Sequence, residues 1–325
     1  MKISLISTML NERHTVGPWL DSIRRQSRLP DEIVIVDGNS SDGTWEFLQA
    51  AAFADPLLSV CRESGGNIST GRNMAVRHAK HEIIAVTDAG CVLDPDWLRE
   101  LVLPIESGAS SCAATAFGPD LSLRDPLRLH LIAAVTVPAP HEFDRDWLPS
   151  SRSVAFLKDV WRRTGGYPEW LPICEDIVFD LKIGKLGERF AYVRTPFVFW
   201  RPRPTFAKLF KQLFLYTRSD GHAGLWLRRQ LIRYGVYGFA ALTLAVSYAG
   251  SDPYPALALI PFAAFYAAKF VRRFIAFTPR MPFVSRGLGI ALIPFVVLYG
   301  DIAKMCGWPV GVYERLRGIV RYEPY

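Results

Sequence analysis

No Cys-x-x-Cys pair occurs in the 325 residues, and the five cysteines (Cys61, Cys91, Cys112, Cys174 and Cys306) are widely scattered. That spacing indicates neither a zinc site nor a disulfide framework, and reduced cytoplasmic thiols are expected. No glycine-rich, lysine-bearing loop follows the first apolar run, which argues against a nucleotidyltransferase of similar sheet topology. A secretory signal is also missing: Met1-Lys2-Ile3-Ser4-Leu5-Ile6-Ser7 is apolar, but Asn11-Glu12-Arg13-His14 interrupts it too early. The formal net charge is +7, yet the Lys and Arg residues form no arginine- and aromatic-rich face. They crowd the flanks of apolar segments near the C-terminus, so anionic lipid headgroups and diphosphates are the expected partners and nucleic acid is not.

What is present reads first as an α/β pattern. Residues 3–8 and 33–37 are β-branched runs separated by Trp19, Leu20 and Ile23 at helical spacing, which is a βαβ unit. Continuous apolar strands of this kind predict a Rossmann-like, mostly parallel sheet with helices on both faces. The turn from Asp37 to Thr44 leads into a helix through Trp45, Phe47 and Leu48. A third unit follows: a strand at 57–61, a helix over 69–79 and a strand ending at Asp88. Asp37 and Asp88 thus both stand at carboxyl ends of strands, the rim where open α/β sheets bind ligands. Asp94 reads as a helix N-cap with Pro95 at the first helical position. Over 110–160 the pattern is weak and assigns no element. Glu175-Asp176 opens a helix stopped at Gly187, and the last strand, at 191–193, runs on to Trp200-Arg201-Pro202-Arg203.

Half the residues are hydrophobic, with the excess in the last third of the chain. Apolar segments at 234–250, 254–268 and 287–300 alternate with basic clusters. Charge bias predicts a hairpin of the first two with both flanks cytoplasmic, a re-entrant or interfacial third segment, and an amphipathic surface helix in the tail. The expected organisation is a soluble α/β domain over 1–205, basic interfacial connecting helices over 206–233, hydrophobic membrane-associated helices over 234–305 and a basic amphipathic tail over 306–325.

Five motifs follow one another in order: Leu5 to Glu12, Ile35 to Thr44, Gly71-Arg72-Asn73, Thr87-Asp88-Ala89-Gly90 and Cys174-Glu175-Asp176. In this order and spacing the chain resembles family 2 of the inverting glycosyltransferases, with the GT-A fold, over about residues 1–205. The resemblance implies that Thr8 and Glu12 line a nucleoside pocket, that Asp37 hydrogen-bonds the base and that Arg72 lies near ribose and diphosphate. It implies that Asp88 is the first acid of an Asp-x-Asp metal clamp and that Asp176, in its pair with Glu175, is the catalytic base. From the residues alone, Asp176 is equally a helix N-terminal acid favoured by the dipole, Asp37 a turn former and Arg72 a solvated helix charge.

The clamp departs from the family pattern, because Gly90 replaces the second acid and Trp200 stands where a later histidine ligand is expected. Two accounts follow. Either Mg²⁺ or Mn²⁺ is held by Asp88, the diphosphate and waters, or Arg201, Arg203 or Arg72 neutralises the leaving diphosphate. A phosphate acceptor needs no base, so Glu175-Asp176 favours a hydroxyl acceptor. The expected partners are a UDP- or GDP-sugar donor, a lipid-linked saccharide, glycolipid or envelope polysaccharide acceptor, and the cytoplasmic membrane, with the catalytic domain facing the cytoplasm. A polyprenyl-phosphate glycosyl synthase and a catalytically inactive membrane-bound partner subunit are the alternatives.

Overall fold

The computed structural model describes residues 1–143 and 147–323. The chain divides into two units, one made of Met1–Asp120 with Pro138–Arg201, the other of Leu121–Val137 with the chain from Pro202 onward.

The first unit is an eight-stranded sheet with helices. In chain order it holds β1 (Ile3–Met9), α1 (Val16–Arg24), β2 (Glu32–Asp37), α2 (Thr44–Ala54), β3 (Leu58–Arg62), α3 (Ile68–His78), β4 (Ile83–Val86), β5 (Cys91–Leu93), α4 (Trp97–Glu106) and β6 (Cys112–Pro119). After α5 (Leu127–Thr136), which belongs to the second unit, come β7 (Val154–Leu157), α6 (Lys158–Thr164), α7 (Glu175–Lys185) and β8 (Phe190–Trp200). The strand order is β3-β2-β1-β4-β7-β6-β8-β5. β1 to β4 pair in parallel, as βαβ connections require. β7 runs antiparallel to both β4 and β6, and β5 antiparallel to β8. β6 and β8 pair in parallel, so four of the seven pairings are parallel, as the apolar strand pattern predicted, and β5 and β7 supply the antiparallel ones. The core is built from the strands' β-branched residues, Ile6, Val34, Val36, Ile84 and Val86 among them, against Tyr167 and Phe179.

Two local expectations are corrected. α4 starts at Trp97 with Asp96 as the flanking residue. Asp94 instead makes a turn, its side chain accepting from Asp96 N at 3.0 Å. Asx turns and N-caps share this chemistry, so sequence does not separate them. The strand β6 escaped the periodicity because Cys-Ala-Ala-Thr-Ala is poor in strand formers; burial between neighbours makes it a strand.

The second unit is helical: α5, α8 (Phe206–His222), α9 (Leu227–Ala249), α10 (Tyr254–Leu257), α11 (Leu259–Phe277) and α12 (Phe283–Leu316). Three helical stretches are long and apolar enough to cross a membrane, Leu227–Ala249, Tyr254–Phe277 and Phe283–Leu316. Their exposed phenylalanines, Phe239, Phe262, Phe265 and Phe283 among them, support membrane association. The second and third are longer than the sequence pattern indicated. Pro255 and Pro261 fall in first helical turns, where proline is tolerated. The third continues without a break into the tail, so the segment beyond 305 is the end of one 34-residue helix rather than a separate surface helix.

α12 carries two interior prolines, Pro294 and Pro309. Pro309 has no N–H for the carbonyl of Met305, one turn earlier, and Tyr234 Oη donates to that carbonyl at 2.7 Å instead. Tyr234→Phe is expected to cost about 1 kcal/mol, read as a small fall in the melting temperature of the detergent-solubilised protein; an unchanged value would remove the compensation. α8 and α12 approach through glycines, since a Cβ on Gly221 would stand 2.5 Å from Trp308 O and one on Gly307 or Gly311 would strike α8 backbone. Gly307-x-x-x-Gly311 is a small-residue packing motif.

Candidate active site

The rim formed by the carboxyl ends of β1, β2 and β4 gathers the motif residues of the first unit. Asp37, the last residue of β2, pairs with Met9 in the sheet and is fully buried. Its Oδ2 accepts from Ser40 N at 3.0 Å and lies 3.3 Å from Arg62 Nε. Its Oδ1 is buried with no hydrogen-bond partner among the described residues. Buried acceptors are normally satisfied, so this oxygen is an open position for a ligand donor. The loops beside it interlock: Asn11 and Asn39 adopt left-handed backbone conformations, Asn11 N donates to Ser40 Oγ, and Ser41 N donates to Asn11 Oδ1. Glu12 accepts from the Thr15 hydroxyl, and its amide donates to Thr44 Oγ1 at 2.9 Å. Thr8 is half-buried near the end of β1.

Each residue of Gly71-Arg72-Asn73 has a separate structural task. α3 is capped by Asn67, whose side chain accepts from Ser69 N and Thr70 N. Its first turns lie so close to β1 that a Cβ on Gly71 would strike the Thr8 hydroxyl and stand 3.1 Å from Thr8 Cβ. Asn73 holds the backbone of Tyr167, accepting from its N–H at 2.9 Å and donating to its carbonyl at 2.8 Å. Arg72, between them, is almost completely buried, and the solvated-charge reading does not apply to it. It donates to Asp88 Oδ1 at 2.8 Å and to Glu175 Oε1, with the Tyr167 ring 5.4 Å from its guanidinium carbon. These two carboxylates raise its pKa further, although burial opposes them, so Arg72 is a fixed cation.

Asp88 lies two residues beyond the end of β4. Gly90 follows, where a Cβ would meet nothing within 4 Å. Trp200 pairs with Cys91 across the β5–β8 ladder, which places its ring beside this turn. Arg152, whose guanidinium carbon is 4.8 Å from the Trp200 ring, belongs to the same neighbourhood. Its position follows from register: antiparallel β4 and β7 pair Val86 with Val154, Asp88 lies two residues after the first and Arg152 two residues before the second, so both lie beyond the same end of the ladder. No sequence motif pointed to it, because the pairing of β7 with β4 is set by tertiary structure. Among the described residues no group of three or more His, Cys, Asp or Glu side chains is arranged to hold a metal. A divalent cation would have one carboxylate here, Asp88, whose Oδ1 accepts from Arg72, beside a glycine at which a Cβ would meet nothing within 4 Å.

Cys174, in a left-handed conformation, turns the chain so that Glu175 and Asp176 enter the first turn of α7, where the helix dipole favours negative charge. Asp176 is half-buried and accepts from the Ile177 amide at 3.0 Å. Glu175 is buried, and desolvation raises its pKa to about 7 against the pull of Arg72, with the Asp176 charge adding to the rise. One turn later Asp180 is buried with Oδ2 unpartnered, and burial followed by the charges of Asp176 and Glu175 pushes its pKa well above the usual carboxylate range. Four acids thus surround one guanidinium, and burial and the neighbouring carboxylates favour the protonated form of Asp180.

The structure accordingly brings Arg72, Asp88, Glu175 and Asp176 into one cluster, with Thr8 against the same helix and Asp37 on the neighbouring strand. Arg201 donates to the Asp120 carbonyl at 3.0 Å, and Arg203 is exposed in the second unit. Tyr167, Arg152 and Asp180 complete the surroundings and had not been singled out from sequence.

The mixed α/β sheet with its acidic rim, followed by apolar helices, is a GT-A-like fold. Residues 4–149 match the family model described as glycosyl transferase family 2. Succinoglycan biosynthesis protein ExoA of Rhizobium meliloti is 25% identical over 232 residues, which cover 66% of this chain and 68% of the relative. The O-antigen chain rhamnosyltransferase RfbN of Salmonella typhimurium is 24% identical over 260 residues, 74% of this chain and 78% of the relative. Among solved structures, the mannosyltransferase PcManGT from Pyrobaculum calidifontis, in complex with GDP-Man and Mn²⁺, superposes with a TM-score of 0.54 at 20% identity. That superposition covers 97% of this chain and 87% of the other, and it shows the shared fold. Residues 4–149 are thus a family 2 glycosyltransferase domain, and the chain is similar to enzymes of polysaccharide biosynthesis.

Proposed function

We propose that this glycosyltransferase moves a sugar, with inversion, from a nucleotide diphosphate sugar to a hydroxyl group of a membrane-presented acceptor, a lipid-linked saccharide, glycolipid or envelope polysaccharide. The catalytic unit spans about residues 1–205 and works at the cytoplasmic face, the side that charge bias assigns to the basic flanks of the apolar hairpin. One observation carries the reading: buried Arg72 ties Asp88, beyond the β4 end, to Glu175, beside Asp176. Three distant motifs thereby become one site.

In the proposed reaction Asp176 accepts the proton of the acceptor hydroxyl. The acceptor oxygen forms a bond to the anomeric carbon as the bond from that carbon to the diphosphate breaks, and the nucleoside diphosphate leaves with the electron pair. Asp37 Oδ1 accepts a hydrogen bond from the base, and Thr8 and Glu12 line the nucleoside pocket. Arg72 holds Asp88 and Glu175 in place. Mg²⁺ or Mn²⁺ bound at Asp88 would supply positive charge to the leaving diphosphate. The charge balance supports a cation there, since the carboxylates outnumber Arg72 and would otherwise repel a diphosphate.

Thermal-shift screening against UDP-, GDP- and dTDP-sugars with and without Mn²⁺, followed by transfer of a labelled sugar, tests the proposal. One donor at a hundred times its Kd is expected to stabilise the protein by about 2.7 kcal/mol, and excess chelator is expected to abolish turnover. Undiminished turnover in chelator would sink the metal; no shift with any donor would sink the donor class. The Pyrococcus furiosus dolichol-phosphate mannosyltransferase, 28% identical over 110 residues, keeps the polyprenyl-phosphate synthase reading open as the second one. Labelled sugar appearing on polyprenyl phosphate would select it.

A further inference from the structure

The helical unit contains a cavity of about 840 Å³ between α9, α11 and α12. Its wall is apolar over most of its extent, with Phe239, Leu259, Phe262 and Phe295 among the lining residues. Arg229, Arg233 and Lys269 also line it, and among the described residues no Asp or Glu does. We propose that this cavity binds one anionic phospholipid of the surrounding bilayer, its chain along the apolar wall and its phosphate against the arginines and lysine. The proposal is independent of the glycosyl-transfer reading.

Polarity is graded along the cavity as a lipid requires. The turn at Gly250-Ser251-Asp252-Pro253 separates α9 from α10 and α11. Arg233 on one side and Lys269 on the other each stand about sixteen residues from it, roughly 24 Å along a helix. Phe239, Ala240, Leu259 and Phe262 lie nearer the turn. The cations therefore share one depth, near the boundary of a hydrocarbon core about 30 Å thick, and the apolar wall lies deeper. Arg229 is exposed, one turn beyond Arg233.

A buried network fixes the cationic end. Fully buried Asp301 accepts from Tyr237 Oη at 3.0 Å, Tyr266 Oη at 2.6 Å and Lys304 Nζ at 3.0 Å, and lies 3.5 Å from Arg233 Nε. Arg233 also donates to Gln230. Both tyrosine hydroxyls and Arg233 are thus engaged within the protein, and Arg229 is an exposed cation of the lining. Near Asp301 stand three cations, Arg229, Arg233 and Lys304, so the surplus positive charge matches a phosphate better than an uncharged or zwitterionic headgroup. Basic pockets between membrane helices recognise anionic lipids by this chemistry.

The test uses the full chain in nanodiscs of mixed phosphatidylglycerol and phosphatidylcholine, with retained lipid counted by native mass spectrometry after detergent washing. One retained lipid per chain is expected, with phosphatidylglycerol preferred. Arg229→Glu is expected to lower that preference roughly tenfold, whereas Arg228→Glu, an exposed neighbour that does not line the cavity, leaves it in place. Ala263→Leu, at an exposed lining position, narrows the cavity and is expected to reduce retention without a charge change. Equal retention of both lipids, or the same loss in both arginine variants, would overturn the proposal. Displacement of the phospholipid by equimolar polyprenyl phosphate would overturn its source.

Discussion

Arg72→Met is expected to abolish transfer and to destabilise the catalytic unit by roughly 3–5 kcal/mol, the usual effect of removing one partner from a buried ion cluster. The guanidinium touches both Asp88 and Glu175. Without it Glu175 remains buried beside Asp176 with no cation, so its pKa, already raised to about 7 in the presence of Arg72, rises further. The consequence for pH dependence follows directly. An acid whose folded pKa exceeds its ordinary value of 4.5 loses stability as pH climbs, because the unfolded chain releases the proton first. In the wild type this loss runs from about 4.5 to about 7 and then levels off. In the variant it continues above 7, so the stability difference between the two proteins should widen at alkaline pH. Arg72→Lys keeps a charge but lacks the two-pronged geometry, and is expected to fold while losing transfer by about 10²-fold. Melting temperatures from pH 5 to 9, with initial rates on the preferred donor, decide the matter; wild-type stability and rate in Arg72→Met would end the bridging role.

That Arg72 is a buried hub rather than a surface charge was not legible in the sequence. Its two partners lie 16 and 103 positions away, and only the fold brings them together. What was legible had local causes: the β-branched runs of β1, β2 and β4 mark strands, and residues at their carboxyl ends mark the rim. Gly71 shows an intermediate case, since a glycine before Arg72 is visible but its reason, the close approach to Thr8, appears only once α3 is packed. The clamp question changed in the same way. Gly90 and Trp200 read as two missing metal ligands, and the sheet register then placed Trp200 beside the Asp-Ala-Gly turn with Arg152 over its ring. The strand β7 that carries Arg152 to this rim comes from the stretch where periodicity was weakest. The apolar helices were visible as segments, while their lengths were obscured by prolines that prove to sit in first turns or to have their lost hydrogen bonds replaced, as Tyr234 does for Met305.

Asp176→Asn carries the other large expectation: a loss of transfer by roughly 10²–10⁴-fold, the range for removal of a general base, with sugar-nucleotide binding retained. Asparagine keeps the volume and can still accept from the Ile177 amide, so the start of α7 is preserved. A purely structural role in the helix first turn would instead cost a few tenths to about 1 kcal/mol and leave turnover nearly unchanged. The substitution has a second signature that a loss of activity alone does not provide. The Asp176 charge contributes to the raised pKa values of both Glu175 and Asp180, so its removal should lower both. For Glu175 the stability lost with rising pH would then level off below pH 7, the reverse of the Arg72→Met effect. Donor titration by thermal shift, the transfer rate and the pH–stability curve together separate the roles: full activity would remove Asp176 as the base, and an unmoved titration would remove it from the cluster around Arg72.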